Sequence, residues 1–177
     1  MTSTSDGEGW RGSIEPIAAV PLTQIRDQID SVDRQIHQLL NQRARLAEQV
    51  ARSKMATETH PLFYRPEREA QVLRNVMARN EGPLSDETVA RLFREIMSAC
   101  LALEAPQTIA FLGPQGTFTQ AAAIKHFGHA ARTVACASID EAFRAVESGT
   151  LDYVVAPVEN STEGAVGRTL DLMVNTP

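Results

Sequence analysis

From Leu22 onward, apolar residues return every three or four positions: Leu22, Ile25, Ile29, Val32, Ile36 and Leu39, then Leu46 and Val50, with no glycine or proline before Lys54. This spacing predicts one amphipathic helix with a heptad seam, about 50 Å long at about 1.5 Å per residue. A small domain does not easily cover such a rod. The pattern breaks at Pro61 and resumes at Pro66, a good first-turn residue followed by Glu67 and Glu69, which predicts a second helix to about Arg79. After "NEGPLSDE", Ser85 reads as an N-cap for a third helix carrying Val89, Phe93, Ile96, Cys100 and Leu103 on one stripe. Three helices with one very long member suggest a bundle completed by a second chain.

Beyond "EAPQ" the period changes. "TIAFLG", "ARTVACAS" and "DYVVAPVE" read as short buried strands, and "TQAAAIKHF", "DEAFRAVES" and "GRTLDLMVN" as the helices between and after them. This alternation predicts a parallel α/β lobe. The expected division is therefore a tail at 1–20, a helical domain at 21–105 and an α/β segment at 107–177. The tail is polar and aperiodic, which reads as disorder, and Trp10 within it has no evident partner.

Composition narrows the picture. With 43% hydrophobic residues the 177-residue chain can bury a core, and a formal charge of −5 argues against a nucleic-acid or anionic-membrane partner. The opening "MTSTSDGEGW" lacks a basic and apolar leader pattern, and no apolar run approaches a membrane span, so a cytoplasmic setting is expected. Cys100 and Cys136 share no metal-ligand spacing with each other or with the four histidines; reduced thiols and no metal are expected.

The informative residues are charges placed where carbon is expected. Arg43 occupies a seam slot of the long helix, Lys54 follows it by eleven residues on nearly the same side, and Glu69 and Glu104 lie on the apolar faces of the second and third helices. A polar network that fixes helix register accounts for such residues. Charge arithmetic favours a ligand: Arg26, Arg43, Lys54 and Arg68 outnumber Glu69 and Glu104, and a small dianion would complete the set. Arg26 and Arg43, seventeen residues and roughly 25 Å apart on one helix, cannot clamp one small molecule, so Arg26 acts elsewhere or on a partner chain.

In this order and spacing, Arg26, Arg43, Lys54, Arg68-Glu69 and Glu104 resemble the pattern of the all-helical chorismate mutase domain. The resemblance implies an intertwined homodimer, built through the long N-terminal helix, that rearranges chorismate to prephenate without a cofactor. By position it assigns Arg43 and a partner chain's Arg26 to the substrate carboxylates, with Arg68 in support. It assigns Lys54 and Glu104 to the ether oxygen and Glu69 to the ring hydroxyl. Two positions depart from the pattern: Arg65 stands where some members place an Asp, and Cys100 where some use a Ser at the ligand.

"GPQGTFTQAA" and "PVENSTEGAVGRTLDLM" resemble the opening lobe of prephenate dehydratase, an α/β domain of the periplasmic-binding-protein type. Mutase followed by dehydratase is the order of the bifunctional enzymes of phenylalanine biosynthesis. The resemblance assigns Thr117, Asn160, Ser161 and Thr162 to a dehydratase subsite, but the Thr-Arg-Phe motif of the remaining lobe is not found, so the dehydratase domain is expected to be incomplete. Two rival functions remain open: an isochorismate pyruvate lyase, which shares the helical fold, and a non-enzymatic helical dimerisation module bearing a small-molecule-binding lobe.

Overall fold

The structure is a computed structural model describing residues 20–59, 61–160 and 164–176. Three helices open it: α1 (Leu22–Thr57), α2 (Pro66–Ala78) and α3 (Asp86–Glu104). There follow β1 (Thr108–Leu112), α4 (Phe118–Phe127), β2 (Arg132–Cys136), α5 (Ile139–Glu147), β3 (Tyr153–Val155), β4 (Glu159–Asn160), β5 (Gly164–Ala165) and α6 (Gly167–Asn175). The fold is a helical region followed by a small α/β region, as the periodicity predicts. The expected tail and its Trp10 lie outside the described residues, apart from Val20. Two compact units divide between Leu39 and Leu40.

In the first unit the seam residues of α1 are exposed, from Ile25 at 40% to Leu39 at 62%. In the second unit the remaining seam residues Leu46 and Val50 are exposed too, while Ala51 is buried and Arg43, Ala44, Ala47 and Lys54 are half-buried. Helix α2 starts where proline permits: Arg65 is its N-cap, and the Arg65 carbonyl accepts from the N–H groups of Arg68 and Glu69 at 3.0 and 3.1 Å. Ser85 caps α3, accepting from Thr88 N at 3.2 Å, with Asp86 and Glu87 complementing the helix dipole. α2 packs on α3. The expected α3 stripe is uneven: Cys100 is buried and Val89, Phe93 and Ile96 are half-buried, but Leu103 is 55% exposed, and Ala90 and Ser98 are buried in its stead.

The α/β region is built on a three-stranded parallel sheet of order β2-β1-β3. Ile109, Ala110 and Phe111 of central β1 are fully buried, the near-continuous apolar run of a strand covered on both faces. The Asp152 carboxylate ties β3 to β1, accepting from Thr108 N at 2.7 Å and Thr108 Oγ1 at 2.6 Å. "DYVVAPVE" is not one strand, as its pattern suggested. Only Tyr153–Val155 pairs with β1, Pro157 can donate nothing to a ladder, and Glu159–Asn160 turns back on Gly164–Ala165 as an antiparallel hairpin. The buried Thr169 of α6 then donates its hydroxyl to Pro157 O at 2.7 Å. Among the described residues no helix is long and apolar enough to cross a membrane.

The turn after α4 seats this region on α3. Gly128 ends α4 with φ +80°, and a Cβ there would lie 2.4 Å from Ser98 Cβ and 2.5 Å from Ser98 Oγ. Next to it, His129 donates its backbone N–H to Glu95 at 3.1 Å, and its Nδ1 lies 2.9 Å from the same carboxylate. Gly128→Ala meets both obstacles, the left-handed backbone and the contact with Ser98. It should lower the unfolding free energy by about 2 kcal/mol or more, read from the midpoint of urea denaturation at unchanged slope.

Candidate functional site

The end of α1, the 61–65 loop, α2 and α3 enclose a cavity of about 420 Å³, closed on another side by Gln107, Phe127, Ala130 and Ala131 of the α/β region. Its size suits a small molecule. Arg43, Lys54, Arg65, Arg68, Glu69, Cys100 and Glu104 all line it, so one pocket gathers charges drawn from three helices. Arg26 is an exposed residue of α1 in the first unit.

Each charged group reaches the pocket for a local reason. Lys54 sits in the last turn of α1, where a cation complements the helix dipole; its Nζ donates to Leu62 O at 2.9 Å and Phe63 O at 3.5 Å, and lies 5.3 Å above the Phe63 ring. An ammonium has three donors, so one is left for a ligand. Arg43 Nη1 donates to Ile96 O at 3.4 Å, a carbonyl of α3, which draws the guanidinium toward the cavity. Arg68 and Glu69 enter on the first turn of α2; Arg68 Nη1 donates to Gln71 Oε1 at 2.7 Å.

Sequence reasoning missed Arg94. Its Nε lies 3.3 Å from Glu69 Oε1, and it lines the same cavity. The signal was available: Arg94 precedes Met97 by three residues and Leu101 by seven, the stripe that singles out Glu104. With Arg94, five cations face two carboxylates, and one carboxylate is already paired. Among the described residues Arg43, Lys54, Arg65 and Arg68 form no ion pair with a carboxylate. The electrostatics of the pocket are those of an anion site.

Glu104 is the exception to that field. Burial pushes the pKa of its carboxyl up from the ordinary value, against the lowering effect of Lys54 and Arg43. Spacing alone could not fix this balance, because it turns on how much water reaches the end of α3. Tyr64, only 7% exposed, is also missed by sequence reasoning: burial first, then the neighbouring Glu69 carboxylate, push its phenol up to about 12. Among the described residues no group of three or more potential metal ligands converges.

The dehydratase-type residues lie apart from this cavity. Thr117 caps α4, its Oγ1 accepting from Gln120 N at 3.4 Å and donating to Leu112 O at 3.3 Å. Asn160 is in β4, paired with Gly164, while Ser161 and Thr162 lie outside the described residues.

Residues 25–105 match the family chorismate mutase type II, and residues 109–177 match the family prephenate dehydratase. Relatives named bifunctional chorismate mutase/prephenate dehydratase include one from Neisseria gonorrhoeae, 60% identical over 151 residues, and one from Pseudomonas aeruginosa, 58% identical over 153 residues. Each alignment covers 85% of this chain, and 41% and 42% of the respective relative. The chain thus spans less than half the length of the curated relatives it matches. A solved chorismate mutase from Thermus thermophilus is 38% identical, with 46% of this chain and 91% of that chain covered at a TM-score of 0.43.

Proposed function

We propose that the helical pocket converts chorismate to prephenate, a reading supported by the match of residues 25–105 to chorismate mutase type II and of residues 109–177 to prephenate dehydratase. The observation that carries this reading is one cavity holding four cations that have no carboxylate partner among the described residues, beside a carboxyl whose pKa burial raises. Such a site suits a dianion that develops negative charge on an ether oxygen.

The rearrangement is pericyclic and requires no nucleophile, so the pocket has two tasks. It holds the substrate in its reactive conformer, and it aims donors at the oxygen of the breaking C–O bond. Arg43 takes one carboxylate, with Arg68 in support, and Arg26 of a second copy takes the other. Lys54 presents its remaining N–H to the ether oxygen. Glu104 donates to the same oxygen in its protonated form, since an ionised carboxylate would repel the developing charge. Glu69, held by Arg94, accepts from the ring hydroxyl. Arg65 supplies backbone at the start of α2, and Cys100, a weaker donor than serine, borders the ligand.

The proposed assembly is a homodimer through α1. Its support is the exposure of the eight apolar seam residues from Leu22 to Val50, a surface of the kind that coiled-coil pairing buries. The same proposal sets the enzyme in the cytoplasm, in phenylalanine biosynthesis. Thr117, Asn160, Ser161 and Thr162 belong to the dehydratase function of the longer relatives. Without the Thr-Arg-Phe motif, these 177 residues should not complete that reaction by themselves.

A stopped assay of chorismate loss, with prephenate, pyruvate and phenylpyruvate measured separately, tests the reading. Prephenate alone is expected; pyruvate would indicate the lyase, and no turnover the dimerisation module. The pH profile tests Glu104. A raised pKa favours the protonated donor, so activity is fullest below that pKa and falls as pH rises through it. Glu104→Gln keeps a donor that does not titrate and should flatten the alkaline limb of kcat; a falling limb that survives the substitution removes Glu104 from this role. Chain mixing tests Arg26. Arg26→Ala and Lys54→Ala homodimers should each be nearly inactive, and refolding them together should restore activity in heterodimers with one intact site. A folded but inactive heterodimer rejects the shared site.

A further inference from the structure

The wall that the α/β region gives to the pocket has a mechanical link to Lys54. The carbonyls that hold Lys54 Nζ, those of Leu62 and Phe63, belong to the short loop between α1 and α2. The next residue, Tyr64, is buried, and its hydroxyl lies 3.0 Å from His126 Nε2 at the end of α4. The Tyr64 ring also meets Phe127 and Tyr153, each with a centroid separation of 5.4 Å. The loop that grips the lysine is thus itself gripped by the α/β region.

We propose that the end of α4 and the turn after it, residues 126–131, are a positioning element for the mutase pocket, holding Lys54 in place through Tyr64 and the 61–65 loop. The inference rests on the mutase reading and deepens it: His126, which does not line the cavity, takes part in the mutase reaction through Tyr64 and Lys54. Three observations converge on it. Phe127, Ala130 and Ala131 of this turn already line the cavity. Gly128 and His129 fix the turn to α3 through Ser98 and Glu95, so it has a rigid seat from which to hold Tyr64. The phenol, raised to about 12 by burial and by the Glu69 carboxylate, stays protonated across physiological pH. His126 is a positioning residue that acts on the reaction through Tyr64 and the lysine, while Tyr64 also lines the cavity beside Glu69.

The experiment uses Tyr64→Phe, His126→Ala, His126→Gln and the double variant Tyr64→Phe/His126→Ala in the whole chain. Each of Tyr64→Phe and His126→Ala should lower kcat about threefold to tenfold with KM little changed, the size expected for one partly exposed hydrogen bond felt in the transition state. The double variant should be no worse than the poorer single one, because both remove the same bond. His126→Gln, which keeps a polar group near the Nε2 position, should recover most of the loss. Two readouts independent of turnover accompany these: hydrogen exchange of peptides spanning residues 61–65 should quicken in His126→Ala, and the Lys54 Cε chemical shift should move toward that of a solvated lysine. Unchanged exchange with an unchanged lysine signal overturns the proposal, as does a loosened loop with full kcat. If the wild-type chain does not turn over chorismate, the mutase reading falls, while exchange and the lysine signal still decide whether the turn holds the loop.

Discussion

An imbalance of charge organises the second unit. Five cations line one cavity with two carboxylates, of which one is paired with Arg94 and the other has its pKa raised by burial. Bringing like charges together costs free energy unless an anion or the dipoles of the fold offset it. The backbone supplies part of that offset: carbonyls of Leu62 and Phe63 face Lys54, and the carbonyl of Ile96 faces Arg43. The rest is left for a ligand. In the proposed reaction the substrate's two carboxylates would supply that anion.

The same imbalance explains why glutamate suits position 104. A carboxylate among cations would ordinarily ionise and pair, which would remove a donor and consume a cation. At the end of α3, with Cys100 buried one turn before and the α/β region beginning three residues later, desolvation outweighs Lys54 and Arg43. The chemistry proposed for the pocket thus depends on the packing at the junction as much as on the charged residues themselves.

What could be read from the sequence was what is local. Pro66 and Ser85 mark helix starts because capping involves residues three or four apart, and the seam of α1 is legible because its period is regular. The three parallel strands were legible from their apolar runs, and the charges on apolar faces, with the positions matched to the mutase pattern, revealed seven residues of the cavity. Arg94 shows that the same test, applied only to the carboxylates of α3, missed their cationic neighbour. The β4-β5 hairpin has strands of two residues, too short to carry a period. Tyr64 and His126, separated by 62 positions, meet only through tertiary packing, and no spacing rule reaches that far.

The central position of β1 has a consequence for how the chain is made. Its partners β2 and β3 both come later in the sequence, so during synthesis the run Ile109-Ala110-Phe111 emerges with neither edge paired and no helix to cover its faces. Both pairings are parallel and need a crossover before they close. The helices have only local contacts to form in that interval, whereas the sheet waits for about forty more residues to reach Tyr153. The buried apolar strand β1 is thus left without neighbours until they emerge, an unpaired edge of the kind that can pair with another copy of itself.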